Sequence, residues 1–223
     1  MKLSRFIVAA SFLCALPSVL SAQIDDVRLW TGISVSHKFT RQISASFEQQ
    51  LRFRTDVSII DQTFSDLGVS YEPVRNLKVL VAYRWMHKNL VNRYSDRHRI
   101  YADLSYKYKF HRFSFTLRER ISQQYADVNS SENGNIADWM LRTKFSAKFD
   151  TGRRYAPYAA AETYYLLDAK KPPEHYITRI RYSLGAEYEF NRIHSIDLFC
   201  ILQHDRPMDF NSMIYGVTYN FNF

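Results

Sequence analysis

The sequence predicts an all-β fold, a transmembrane antiparallel up-and-down β-barrel of ten to twelve strands. Three observations predict it. Apolar and polar residues alternate with period two along most of the chain. The alternating runs span about 10 to 14 residues, beyond the five or six typical of soluble sheets and matched to the reach of a tilted strand across a bilayer. Short turns alternate with longer polar stretches, the one-sided asymmetry of a membrane barrel.

The chain opens with Lys2 and Arg5, then the apolar run Phe6 to Leu16, Pro17, Ser18 and the small residues Ser21 and Ala22. A charged start, an apolar stretch too short to span a bilayer and a small-residue site predict a secretory signal peptide over residues 1–22, cut after Ala22. Residues 23–223 are then one barrel domain. The formal charge of +8 falls to about +6 when Lys2 and Arg5 leave. Cys14 leaves with them, and Leu13 before it is too large for a lipoprotein cysteine. Cys200 alone remains, so no internal disulfide is expected. No later stretch approaches eighteen continuous apolar residues, which excludes spanning helices.

Taken in order, the first strand shows Val27, Leu29, Ile33, Val35 and Phe39 on one face. The second shows Ile43, Ala45, Phe47, Leu51 and Phe53, after only Thr40, Arg41 and Gln42. Leu67, Val69 and Tyr71 pair with Leu77, Val79, Val81, Tyr83 and Trp85 around Pro73 to Asn76. Ile100, Ala102, Leu104, Tyr106, Tyr108 and Phe110 turn at His111-Arg112 into Phe113, Phe115, Leu117 and Ile121. Trp139, Leu141, Phe145 and Phe149 lead through Asp150-Thr151-Gly152, which carries turn chemistry, to Pro157, Ala159, Ala161 and Tyr165. Ile180, Tyr182, Leu184, Ala186, Tyr188 and Phe190 turn at Asn191-Arg192 into Ile196, Leu198, Cys200 and Leu202. Met213, Tyr215, Val217, Tyr219, Phe221 and Phe223 form a terminal strand that ends on an aromatic residue. Eleven strands result. Both termini on one side of a membrane would require an even number, so ten or twelve is expected. The longer polar stretches fall near 55–63, 88–96, 126–137, 168–175 and 205–211.

Aromatic residues gather at both rims of the predicted lipid-facing set. Phe39, Tyr71, Tyr108, Phe110, Phe113, Phe149, Tyr188, Phe190, Phe221 and Phe223 lie beside short turns, and Phe53, Trp85, Trp139, Tyr165 and Tyr176 beside long loops. Two such bands are aromatic girdles, because Tyr and Trp favour the boundary between lipid and water. A terminal strand with Tyr219, Phe221 and Phe223 resembles the signal read by the barrel assembly machinery of the outer membrane.

The opposite parity would point into the barrel, and bases dominate it: Arg52, Arg54, Arg84, Arg97, Arg99, Arg118, Arg120, Arg142, Lys144, Arg179 and Arg181. Several come as Arg-x-Arg or Arg-x-Lys. Glu48, Asp66, Asp103, Glu162 and Glu187 are the acids expected to pair with them. Two readings follow. Paired charges would fill a small lumen and lock the strands; surplus bases would line a passage or cup for a small anionic solute. Ten to twelve strands fall between a filled barrel and an open channel.

Other chemistries are poorly served. The basic character does not predict nucleic-acid binding, since the bases face a lumen in an exported chain. No metal-ligand spacing, phosphate loop or cofactor motif occurs. A lipid-modifying hydrolase or acyltransferase at the outer leaflet is the alternative function. His98 and His204, with Ser95 and Asp205 nearby in sequence, are its base candidates, although no serine stands at a recognisable spacing. Glu119 falls on the lipid-facing parity between Arg118 and Arg120, which suggests a bulge, a rim position or a functional carboxylate.

The run Asp26 to Gly32, the segment Glu48 to Arg54, Tyr83-Arg84, Arg118-Glu119-Arg120, Pro157-Tyr158 with Glu162, and Arg179-x-Arg181 with Gly185 resemble an uncharacterised family of Gram-negative outer-membrane β-barrels. The resemblance covers essentially the whole of residues 23–223. It implies a fold and an outer-membrane location among lipid, with no catalytic residues to carry over. The expected function is a small envelope barrel, structural or anion-binding and anion-passing.

Overall fold

The structure is a computed structural model that describes residues 24–90, 93–126, 138–167 and 177–223. The expected signal peptide lies outside them. Eleven strands form the wall: β1 (Asp26–Lys38), β2 (Ile43–Arg54), β3 (Ile59–Val74), β4 (Leu77–Asn89), β5 (Tyr94–Phe110), β6 (Phe113–Ala126), β7 (Asp138–Phe149), β8 (Tyr155–Leu166), β9 (Ile177–Glu189), β10 (His194–Asp205) and β11 (Phe210–Asn222). Each pairs with its neighbour in sequence, and β1 meets β11 to close the barrel. No described helix is long and apolar enough to cross a membrane.

Eleven falls within the expected range, but the expected even number does not hold. Strand direction reverses at every hairpin, so the first and eleventh strands run the same way and their seam is parallel, from Asp26 opposite Ser212 to Ser36 opposite Asn222. All other pairs are antiparallel. The polar stretches also shrink. Residues 55–58 are a tight turn with left-handed φ at Thr55, Asp56 and Val57. Only residues 90–93 join β4 to β5, and a single 3-10 turn, Arg206–Met208, precedes β11. Polar side chains do not end a ladder whose bonds are made by backbone, so β3 and β5 continue for 16 and 17 residues. The remaining asymmetry rests on the connections after β6 and β8.

Alternation sorts the side chains cleanly. On β4, Tyr83 and Trp85 are exposed outside while Ala82, Arg84 and Met86 are buried inside. Leu67, Val69, Val81, Leu104 and Leu198 are likewise exposed, whereas Asp66, Asp103, Arg120, Arg142, Glu162 and Arg181 are buried. An apolar outside around a charged inside reverses the arrangement of a water-soluble fold. A small apolar cluster of Trp30, Ile201 and Ile214, with Phe199 packed on it, fills the lumen beside the seam. Gly216 makes room for it, since a Cβ there would stand 2.0 Å from the Phe199 ring.

The aromatic rims are present among the described residues. At the short-turn end, Phe113 contacts Phe149 at 5.0 Å, Tyr188 contacts Phe190 at 5.2 Å, and His37 lies between Phe39 and Phe223. Trp85, Trp139 and Tyr165 are exposed at the other end. Tyr176 lies outside the described residues.

Candidate functional site

Register assembles the lumenal bases into a girdle. Trp30 on β1 stands opposite Arg52 on β2, whose guanidinium carbon lies 3.7 Å from the Trp30 ring centre and 4.8 Å from that of Phe64. Arg84 lies 3.8 Å over the same Phe64 ring, and Arg120 lies 3.8 Å over Tyr101. Arg120 and Arg142 are register partners. Arg142 lies 4.4 Å over Tyr164, Arg181 lies 4.8 Å over the same ring, and Arg181 returns to Trp30 at 5.0 Å. Guanidinium planes resting on aromatic faces gain cation-π attraction and lose conformational freedom. Trp30, Phe64, Tyr101 and Tyr164 were not among the expected site residues. Their signal was present in the sequence, because they are large aromatics on the basic parity rather than the lipid-facing one.

Acids neutralise part of this girdle. Arg84 Nε donates to Asp66 at 2.6 Å, and the Tyr101 hydroxyl donates to both Asp66 oxygens. Arg120 grips Asp103 through two bonds of 2.6 and 2.7 Å. Glu162 is a hub: Oε1 accepts from Arg118 at 2.6 Å and Arg142 at 2.8 Å, while Oε2 accepts from the Tyr164 hydroxyl at 3.0 Å and lies 4.0 Å from Arg181. Such charge-assisted, multiply bonded pairs tie β3 to β5 and β6 to β9. Toward the loop end Arg179 pairs with Asp205, and Arg54 reaches Asp61 at 3.6 Å. Toward the turn end Lys148 pairs with Glu187. Glu48 accepts from Gln50 at 3.4 Å and has no base within 4.0 Å among the described residues.

The bases exceed these partners. Among the described residues, no carboxylate oxygen lies within 4.0 Å of Arg52, Lys78, Lys88, Arg97, Arg99 or Lys144. Arg52 donates to the Gln50 amide oxygen at 2.5 Å, and Arg99 donates to that of Gln124. The Nε atoms of Arg97, Arg118 and Arg142 are buried without an acceptor. All six surplus bases line a lumenal cavity of about 760 Å³.

The histidine candidates fall apart from their expected companions. Ser95 is buried in the wall's inner face, whereas His98 lies outside and bonds the Tyr83 hydroxyl at 2.6 Å. Asp205 points inward to Arg179, whereas His204 lies outside with Asn211 at 2.9 Å. Neighbours at odd sequence separation in a strand occupy opposite faces, which defeats both pairings. Glu119 sits at neither a bulge nor a rim. It lies mid-strand on the outer face, in register with Leu104 and Thr143, and accepts from the Thr143 hydroxyl at 2.7 Å. Tyr219, Phe221 and Phe223 lie at the short-turn end, where the Tyr219 hydroxyl meets His194 Nδ1 at 2.6 Å and the rings of Phe221 and Phe223 stand 5.1 Å apart. Among the described residues no group of three acids, histidines or cysteines could hold a metal.

Comparison with curated proteins yields no match. Among solved structures, the chain is similar to LpxR from Salmonella typhimurium, at 10% identity and a TM-score of 0.49, over 82% of this chain and 84% of that one. It is also similar to the translocator domain of autotransporter NalP from Neisseria meningitidis, at 11% identity and a TM-score of 0.53, over 91% of this chain and 92% of that one. These neighbours are outer-membrane barrels, and the second likeness supports the closed-barrel fold. Residues 27–213 match the model of a family described as a protein of unknown function, DUF2490, and the chain belongs to that family.

Proposed function

We propose that this chain is an outer-membrane barrel, exported by the signal peptide of residues 1–22, whose lumen binds or passes small anionic solutes. The observation that carries the reading is the surplus of Arg52, Lys78, Lys88, Arg97, Arg99 and Lys144 around the lumenal cavity, with no carboxylate oxygen within 4.0 Å of any of them among the described residues. Fixed cations within a low-dielectric wall focus the field along the lumen and raise the local concentration of anions. The paired part of the girdle holds the wall in shape around them. The apolar outer face supports contact with lipid, and the aromatic strand end at Tyr219, Phe221 and Phe223 supports recognition by the barrel assembly machinery.

A planar-bilayer recording across a KCl gradient tests the reading. The wild type is expected to show a reversal potential displaced toward the chloride equilibrium value. The triple variant Arg52→Gln, Arg99→Gln, Lys144→Gln should move it toward zero. For a barrel that binds without passing, phosphate should bind measurably to the wild type by calorimetry and at least tenfold more weakly to the triple variant. Cation-selective current, or neither current nor anion binding, would overturn the proposal.

A further inference from the structure

The turns at one end of the barrel share a residue type. Residues 39–42, 75–76, 111–112, 150–154 and 190–193 join the hairpins there, and each segment carries at least one arginine: Arg41, Arg75, Arg112, Arg153, Arg154 and Arg192. All six are exposed. Asp150 is the one acid in these segments, and its Oδ1 accepts the Gly152 backbone N–H at 2.8 Å. Among the described residues, no carboxylate oxygen lies within 4.0 Å of any of the six arginines. Glu72 and Glu189, at the adjoining strand ends, fall on the inward parity. At the other end of the barrel, the described residues of the connections 55–58, 90–93 and 206–209 are balanced, with Asp56 and Asp209 against Arg93 and Arg206.

Backbone bonds hold these turns as a rim. The Glu72 N–H donates to the Gln42 carbonyl at 2.8 Å, the Asp150 N–H to the Arg112 carbonyl at 2.7 Å and the Glu189 N–H to the Arg154 carbonyl at 2.7 Å, which ties neighbouring hairpins together at their ends. Each arginine also stands within four residues of an exposed aromatic of the lipid-facing set: Phe39 for Arg41, Tyr71 for Arg75, Phe113 for Arg112, Tyr155 for Arg153 and Arg154, and Phe190 for Arg192. Such rings mark the edge of the hydrocarbon, and a long cationic side chain just beyond that edge reaches the level of the phosphates. The rim is densest where two turns meet. Arg112 Nη2 lies 3.8 Å from the position a Gly152 Cβ would take, and the Phe113 and Phe149 rings at the adjoining strand ends stand 5.0 Å apart. Arg112, Arg153 and Arg154 therefore crowd two bonded turns beside an aromatic pair.

We propose that this arginine rim binds the headgroups of anionic phospholipid in the leaflet at the turn end, most tightly at Arg112, Arg153 and Arg154. The proposal rests on the membrane location given above, but not on the anionic lumen. Guanidinium forks donate two parallel hydrogen bonds to phosphate oxygens, and an anionic headgroup adds charge attraction that a zwitterionic one lacks. The distribution selects lipid over a soluble acidic partner. A docked protein would cover one side of the rim, whereas a leaflet surrounds the barrel and meets all five turns beside their aromatic residues. Six arginines against one acid at this end, and balanced charge at the other, also give the barrel a preferred side toward the more anionic leaflet.

The test uses the full barrel folded in detergent and incubated with equimolar phosphatidylglycerol and phosphatidylcholine of the same acyl chains, with the lipids retained on the barrel counted by native mass spectrometry. The wild type is expected to retain about tenfold more phosphatidylglycerol than phosphatidylcholine. Arg112→Gln, Arg153→Gln and Arg154→Gln together should remove most of that preference, and glutamine at all six positions should abolish it. The triple lumen variant should keep it, which separates the rim from the lumen. A measurement on the wild type alone guards against misfolded variants: raising salt from about 50 to 500 mM should lower the preference severalfold. Equal retention of both lipids by a wild type of verified heat-modifiable gel mobility would overturn the proposal, as would a preference insensitive to salt, unchanged in the six-position variant or lost in the lumen variant. An anion-selective barrel that retains both lipids equally would sink this inference and leave the lumenal reading standing.

Discussion

Glu162 receives Arg118 and Arg142 on one carboxylate oxygen and the Tyr164 hydroxyl on the other, with Arg181 4.0 Å away. Glu162→Gln keeps the shape of this hub and removes its charge. Side-chain exposures are 8% for Glu162, 10% for Arg142 and 23% for Arg118, so solvent offers little compensation. Removing one partner of a buried ion pair costs about 3–5 kcal/mol, because the other charge stays buried and uncompensated. The carboxamide oxygen still accepts one hydrogen bond, which places the expected loss near the lower end, about 3 kcal/mol. At a urea dependence of about 2 kcal/mol per molar, the unfolding midpoint should fall by about 1.5 M. Equilibrium urea unfolding in lipid vesicles, followed by tryptophan fluorescence, measures it. Adding Arg142→Gln should recover part of the loss, with a coupling above about 1 kcal/mol in the double-mutant cycle. A loss below about 1 kcal/mol for the single variant, or strict additivity, would refute the assignment of Glu162 as the electrostatic hub.

Gly216→Ala would place a Cβ 2.0 Å from the Phe199 ring and should cost about 1–3 kcal/mol in the same unfolding assay, with Phe199→Leu restoring much of it. Glu119→Leu replaces a carboxylate on the outer face between Leu117 and Ile121, and should leave stability in vesicles unchanged or raise it by up to about 2 kcal/mol. Lys148→Ala breaks a pair at the turn end whose lysine is 38% exposed, and should cost under about 1 kcal/mol. A larger loss there would mean that the network extends beyond the central girdle.

Most of the wall was legible because a sheet has only two faces. Val79, Val81, Tyr83 and Trp85 against Lys78, Ala82 and Arg84 reveal the inside and outside of β4 without a coordinate. The two-sidedness of Ser95 and His98, or of His204 and Asp205, follows from the same rule, and applying it would have rejected both catalytic pairings from the residues alone. Strand ends were less legible, since Lys88, Tyr94 and Asp96 look like loop residues yet continue the ladder. Backbone bonds hold that extension together, and side-chain polarity does not report them.

The sequence by itself determined which side chains face outward and which face inward, the chemical character of each face and the number of alternating runs, because period two is a local property of an extended chain. Only the tertiary structure decided which residues share a level across strands. Hairpin register and the parallel closure of β1 on β11 bring Arg52 to Trp30 and gather Arg118, Arg142 and Arg181 around Glu162. Those neighbours are set by how far each strand slides against the next, and that displacement depends on turns, bulges and closure acting together rather than on any single segment.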